Sequence, residues 1–335
     1  MFAKKIGIDL GTVNTLIYVP KHGITVNEPT AVARDVNNHE VIAIGRQAES
    51  MIGRTPEAIE LYKPLSSGVI ADFRATQVML RHYINRAIGR FRLVKPDVMV
   101  SIPSGATSTE RKAVIDVTLA AGARAVYLIQ EPVAAALGAN VPIAEPQGSL
   151  IIEMGGGTTE IAVISLGGIV ARHSVRVGGT NIDNAISDYL RRQYSLAVGD
   201  KTAEQVKRKV GVAMPERKNA KTDVKGRDIV TGLPKTVTVS SSELVEPIQE
   251  IIEKVVLAIR TVLEKTPAEL VSDIIDHGII LSGGGALLTN LDQLLIKVIG
   301  VPVDVTDQPL KCVAKGIGVA LGNLGEYQKS LLVGN

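Results

Sequence analysis

A strand–turn–strand unit occurs twice in this chain, and the repeat constrains the fold more than any other feature. Ile6-Gly7-Ile8-Asp9-Leu10 reads as an apolar strand, Gly11-Thr12-Val13-Asn14 as a turn, and Thr15 to Val19 as the returning strand. The same order returns as Leu150 to Met154, then Gly155-Gly156-Gly157-Thr158, then Ile161 to Ile164. Alignment sets Asp9 on Glu153, Gly11 on Gly155, Asn14 on Thr158 and Thr15 on Thr159. Such a duplication predicts two related domains, each opening with a hairpin whose turn is polar and glycine-rich. The 335 residues suffice for two domains at ~100–200 residues each.

Helical signals lie between the strands, and the strands are apolar on both faces, which gives an α/β fold class. Thr107-x-x-Glu110 is a capping box, with Gly122 as the matching stop. Thr202-x-x-Gln205 predicts the start of another helix. Ser240-x-x-Glu243 predicts a long one, with Leu244, Ile248, Ile251, Ile252, Val255, Ile259 and Val262 on one face. Ile182, Ala185, Ile186, Tyr189 and Leu190 form a further stripe, and all of these read as core. The polar stretch from Met214 to Lys235 reads as a small surface subdomain, followed by a short strand at Val237 to Val239.

Composition narrows the function classes. Hydrophobic residues make up 45% but aromatics only 3%, so the cores must be built from Ile, Val, Leu and Ala. A net charge of +3 is too weak to imply nucleic acid. Cys312 is the sole cysteine, which rules out an internal disulfide and fits a reducing compartment. Met1 to Lys5 leads straight into the first strand, so no signal peptide is expected. No apolar run reaches the ~18–20 residues that span a bilayer. The histidines are scattered, none at ligand spacing.

Three glycine-rich turns follow buried strands: Gly11 to Asn14, Gly155 to Thr158, and Gly283-Gly284-Gly285-Ala286. Glycine lets backbone approach a ligand closely, and successive N–H groups then cradle anionic oxygens. Two turns related by duplication suggest a nucleotide clamped between domains. Both the P-loop and the G-x-G-x-x-G patterns are absent, so hairpin turns and hydroxyls must hold the phosphates. Asp9 and Glu153 end the related strands, where carboxylates suit Mg²⁺ held through water; solvated turn carboxylates are the plainer reading. Glu131 precedes Pro132 at a predicted helix start. It either orients a water for attack on a terminal phosphate or simply stabilises the helix dipole. Arg90-Phe91-Arg92-Leu93-Val94-Lys95 sets apolar residues among cations, as in a membrane-inserting tip or a loop tucked onto the core.

Asp9-Leu-Gly-Thr-x-Asn-Thr15, Val26-Asn-Glu-Pro29, Gly68-Val-Ile-Ala-Asp-Phe73, Ile102-Pro-Ser-Gly105, Glu131-Pro132, Gly155-Gly-Gly-Thr-Thr-Glu160, Glu264-Lys-Thr-Pro267 and Gly283-Gly-Gly-Ala-Leu-Leu288 together resemble the MreB/Mbl bacterial actin family. The resemblance runs from about Lys5 to about Gly322. It implies the actin-like fold: two RNase-H-like domains, a nucleotide cleft between them, and small inserted subdomains. The first domain would span 1–145, with its core at 1–32 and 65–145 and a small subdomain at about 33–64. The second would span 146–320, with its core at 146–179 and about 243–320 and a small subdomain at about 180–242. A tail, 321–335, would return to the first domain.

The resemblance also implies ATP and Mg²⁺ as ligands. Gly11, Thr12, Val13 and Asn14 would hold phosphates together with Gly155, Gly156, Gly157 and Thr158. Glu204, Gln205, Val206 and Lys207 would line the adenosine pocket, and Gly283, Gly284, Gly285 and Ala286 would pass under the base and α-phosphate. Asp9 and Glu153 would place the metal, and Glu131 would be catalytic. Phe91, Leu93 and Val94 match the family's membrane-insertion loop. The implied partners are further copies of the chain in paired protofilaments, inner-membrane lipid, and membrane proteins of cell-wall elongation. The implied location is the cytoplasmic face of the cell membrane. Glu153 and Thr180 stand where the family has Asp, Lys209 where it has Glu, and Ser66-Ser67 where it has a basic–acidic pair. A displacement of ~1 Å near the chemistry can cost on the order of a hundredfold in rate. The longer Glu153 side chain therefore predicts a slow ATPase, or a divergent paralogue that uses ATP as a structural ligand.

Overall fold

The computed structural model describes residues 4–89, 94–215, 217–323 and 331–333. Among these, two main sheets form. The first runs in the order Leu331–Val333, Ala125–Gln130, Asp97–Ile102, Lys5–Leu10, Asn14–Val19, Gly23–Pro29. The second runs Gly168–Val175, Thr159–Ser165, Ser149–Met154, Ile279–Ser282, Val303–Val305. In each, a three-stranded antiparallel meander continues into two parallel strands. The register repeats too: Asp9 pairs with Leu16 in the first hairpin, and Glu153 with Glu160 in the second. The duplication seen in the sequence is thus a duplication of topology, and the α/β class holds.

Every residue of Asp97–Ile102 and of Thr159–Ser165 is buried, as expected for strands covered on both faces. The pleat sends alternate residues to different cores. Val98 and Val100 join Ile6, Ile8, Met79 and Leu80 on the outer face of the first sheet. Ile152, Ile161 and Val163 join Ile186, Ile248 and Ile259 on the outer face of the second. The inner faces share one layer, in which Met99 and Ile129 from the first sheet and Ile151, Ala162 and Ile164 from the second enclose helices Glu131–Gly138 and Cys312–Gly322. These helices cross with their backbones touching. A Cβ on Gly316 would lie 1.7 Å from the Ala134 carbonyl oxygen, and one on Gly138 would lie 1.9 Å from that of Cys312. Only glycine fits there. Each lobe, a sheet with its helices, therefore meets the other through this layer.

The Thr107 capping box is present: its N–H donates to Glu110 Oε2 at 2.7 Å, and the Glu110 N–H donates to Thr107 Oγ1 at 3.2 Å. The long helix is Ser241–Glu264, with the Ser240 N–H and hydroxyl both donating to Glu243 Oε1. Thr202 does not start a helix. The helix is Asp200–Val210 and Gly199 caps it, so Thr202 falls within the first turn. The polar stretch before Lys235 also holds more order than its composition suggests. Lys221–Asp228 pairs with Pro234–Ser240 and Leu196–Ala197 in a three-stranded sheet. Only Val224 of that strand is buried, so the apolar signal is nearly silent. A second small sheet joins Val41–Ile44, Val32–Asp35 and Ile59–Tyr62. Among the described residues, no helix is long and apolar enough to cross a membrane.

Candidate functional site

The two repeated turns close in the same way. Gly11 N–H donates to the Asn14 carbonyl at 3.1 Å, and Gly155 N–H donates to that of Thr158 at 2.8 Å. Behind them, the Gly11 carbonyl accepts from Thr30 Oγ1 at 2.7 Å, and the Gly155 carbonyl accepts from Gly179 N–H at 3.0 Å. The turns face each other across the lobes. A Cβ on Gly156 would stand 2.1 Å from Val13 Cγ2, and one on Gly157 2.8 Å from Thr12 Oγ1. Glycine is what permits that approach. The bend at Ser66 to Gly68 lies over both, with Gly68 N–H donating to Thr12 Oγ1 at 2.9 Å.

Beneath the turns lies a cavity of about 480 Å³. Gly11 to Asn14, Gly155 to Thr158, Glu204, Lys207, Gly283, Gly284 and Gly285 all line it, as do Asp9, Glu131 and Glu153. Three residues expected there lie elsewhere. Val206 and Ala286 are buried in the second-lobe core, and Gln205 is exposed outside the cavity lining. The helical period explains Gln205 and Val206: on Asp200–Val210, positions 204, 207 and 208 face the cavity, while Ala203, Val206 and Val210 face the core. Phe91 and Leu93 lie outside the described residues, and Val94 is half-buried ahead of the strand Asp97–Ile102.

Several lining residues carried no sequence assignment. Lys63 reaches the cavity from the end of the small sheet in the first lobe, and Arg208 follows from the helical period just described. Asp183 sits one turn into helix Gly179–Tyr194 and pairs with Lys207 Nζ at 2.8 Å. Lys207 Nζ also donates to the Gly179 carbonyl at 3.0 Å, which fixes this cation at the cavity wall. Leu287, Leu288 and Leu310 supply an apolar wall.

The floor is acidic. Asp9, half-buried, accepts from Ser101 Oγ at 3.0 Å, and burial pushes its pKa up to about 6. Burial, and then the charges of Asp9 and Glu160, push Glu153 up to about 8. Glu131 stands well above the ordinary carboxylate range, through burial first and then Glu153, Glu160 and Asp9. Glu160, fully buried, is also raised by burial, against hydrogen bonds from Ser104 and Ser174 that favour its charged form. The sequence offered a clue to Glu160 in the Thr-Thr-Glu that follows the second turn. Like charges gathered in low dielectric raise one another's proton affinity, and a cation reverses this. The donors are all oxygen, as a hard cation requires. Among the described residues no three His, Cys, Asp or Glu side chains cluster closely enough to hold a metal by themselves. The set therefore fits a hydrated ion that takes further oxygens from a ligand.

Two related sheets that close on a cavity between facing hairpin turns define a protein of the actin-like class. The chain belongs to the MreB/Mbl protein family, whose family model matches residues 3–329. It is 46% identical over 332 residues to the cell shape-determining protein Mbl of Bacillus subtilis (strain 168), covering 99% of this chain and 100% of that one. It is 47% identical over 326 residues to the cell shape-determining protein MreB of Escherichia coli (strain K12), covering 96% and 94%. Among solved structures, MreB5 of Spiroplasma citri bound to AMPPNP superposes with a TM-score of 0.93 at 37% identity, covering 98% and 99% of the two chains. The ADP-bound form of that protein gives 0.92 at 38%, covering 96% and 97%.

Proposed function

We propose that this chain binds ATP with Mg²⁺ in the cleft and polymerises into filaments at the inner face of the cell membrane, where they organise cell-wall elongation. The observation that carries the nucleotide reading is the pair of facing glycine turns over an acidic, apolar-walled cavity. The nucleotide-bound forms of MreB5 and the cell-shape role of the relatives support it. Gly11 to Asn14 and Gly155 to Thr158 would hold the phosphates, with Glu204 and Lys207 beside the nucleoside. Asp9 and Glu153 would hold Mg²⁺ through its waters. When bound, Mg²⁺ neutralises phosphate charge and the nucleotide supplies the transferable phosphoryl group. Glu131, at the first turn of its helix, orients a water and accepts its proton. Burial and three carboxylate neighbours push the Glu131 proton affinity well above the ordinary carboxylate range. With a cation held beside those neighbours, Glu131 would favour the carboxylate form that can accept a proton from water.

A slower variant of the same reading has ATP serving mainly as a structural ligand, and the length of Glu153 favours it. Phosphate release with ATP and Mg²⁺, measured beside pelleting for wild type and Glu131→Ala, tests both. Pelleting by both chains, with phosphate release by the wild type alone, supports hydrolysis through Glu131. Pelleting without release by either supports the structural-ligand reading. Failure of the wild type to pellet or to bind ATP sinks both.

A further inference from the structure

The repeat extends to the residue beside each metal-side carboxylate. In the first sheet, Ile8 pairs with Val100 in parallel register, so Asp9 stands next to Ser101. The Ser101 hydroxyl donates to Asp9 Oδ1 at 3.0 Å. In the second sheet Glu153 pairs with Ser282 in the same parallel register. Ser101 and Ser282 are thus equivalent, and both are buried. Their hydroxyls differ. Ser282 Oγ makes no hydrogen bond to Glu153 or to any other oxygen or nitrogen among the described residues, and the polar group it meets is the Cys312 sulfur.

The difference follows from one methylene. Asp9 ends its side chain level with Ser101. The Glu153 carboxylate instead lies out at the glycine turns: a Cβ on Gly283 would be 2.6 Å from Glu153 Oε1, and one on Gly155 would be 3.5 Å from Oε2. A thiol is a weak partner for a buried hydroxyl, and the carboxylate that would serve it better has been carried past it.

We propose that Ser282 is a positioning residue for the second-lobe carboxylate, disengaged by the length of Glu153 and engaged when that side chain is an aspartate. The catalytic part of this assignment rests on the Mg²⁺ role given above to position 153; the hydrogen bond itself does not. With Ser282 engaged, the carboxylate would be held as Asp9 is held in the first lobe, giving the metal two anchored supports. As it stands, the wild-type chain has one anchored carboxylate and one extended one.

The test is a double-mutant cycle on wild type, Ser282→Ala, Glu153→Asp and the double variant, with Ser101→Ala as a reference for an engaged serine. Thermal unfolding of the nucleotide-free chains comes first. Ser282→Ala should leave the wild-type midpoint in place or raise it, and should lower the Glu153→Asp midpoint by about 2 °C or more, as Ser101→Ala does in the wild type. A loss in the wild-type background, or equal shifts in both backgrounds, overturns the proposal. Phosphate release follows. Glu153→Asp should raise kcat several-fold without changing KM for ATP, and the gain should vanish in the double variant. A gain that survives Ser282→Ala overturns the positioning role. If no chain releases phosphate while the unfolding coupling is present, the hydrolysis reading fails and the Ser282 assignment stands.

Discussion

Glu160 joins the two lobes, and its removal should weaken the whole chain. Its Oε2 accepts from the Ser104 N–H at 2.8 Å and from the Ser104 hydroxyl at 2.6 Å, while Oε1 accepts from the Ser174 hydroxyl. Ser104 follows the first-sheet strand Asp97–Ile102, and Ser174 lies on the second-sheet strand Gly168–Val175. Hydrogen bonds to a charged group are worth roughly 1.5–3 kcal/mol each. Glu160→Ala removes three and strands the buried Ser104 N–H, but it also ends the cost of burying a charge, which is what raises the Glu160 pKa. The balance is a loss of about 3–5 kcal/mol, as for breaking a buried charged network. Glu160→Gln keeps an oxygen for both Ser104 donors and turns an amide toward the Ser174 hydroxyl. It should stay within about 1 kcal/mol of wild type. It should also gain on wild type as pH rises, because only the carboxylate has a proton to lose. Urea unfolding followed by two independent probes measures both variants and checks that the transition is a single step. A Glu160→Ala chain within about 1 kcal/mol of wild type, or a Gln variant as weak as the Ala variant, would refute the reasoning.

Three further outcomes are expected. Asp9 and Glu153 keep their protons in the folded chain to about 6 and about 8, so the unfolded chain releases protons first and folded stability falls as pH rises through that window. Thermal unfolding of the ligand-free protein from acid to pH 8 should show the decline, and Glu153→Gln should flatten its upper half. Gly316→Ala sets a Cβ 1.7 Å from the Ala134 carbonyl oxygen, which no rotamer relieves, so a loss of about 3 kcal/mol or more is expected in denaturant unfolding. Gly156→Ala sets its Cβ 2.1 Å from Val13 Cγ2 and should weaken ATP binding about tenfold in a fluorescent-nucleotide titration. Val13→Ala should recover part of that loss.

How much of this was legible in the sequence depends on how local each signal is. The hairpins, the Thr107 and Ser240 caps and the core stripes are all fixed within a few residues, and the structure bears them out. The strand Lys221–Asp228 leaves almost no apolar signal, because a small sheet half in solvent buries a single apolar side chain there. Gln205 and Val206 were grouped with Glu204 and Lys207 because neighbours in sequence look alike in a motif, although a helix turns them about 100° per residue away. Lys63 and Asp183 have no sequence signal, and Glu160 has only its place after the second turn, for a different reason. Each acts through groups far along the chain, such as the Ser104 contact 56 residues from Glu160, and only the assembled lobes bring those groups together.

The crossing of helices Glu131–Gly138 and Cys312–Gly322 ties the site to the layer between the lobes. Glu131 opens the first helix at the cavity floor, and three residues on, Ala134 touches Gly316. Alanines and glycines make this contact, so few side chains interlock there and one helix can slide against the other. Such a surface suits shear rather than rigid locking. The two sheets flank the pair through Met99 and Ile129 on one side and Ile151 and Ile164 on the other. The crossing lies between the two sheets and three residues from Glu131, so a change in how these helices pack reaches the candidate base directly. A mild change at the crossing, such as Ala134→Ser, should shift phosphate release more than nucleotide affinity. Equal effects on both would mean that the helices serve only to hold the lobes together.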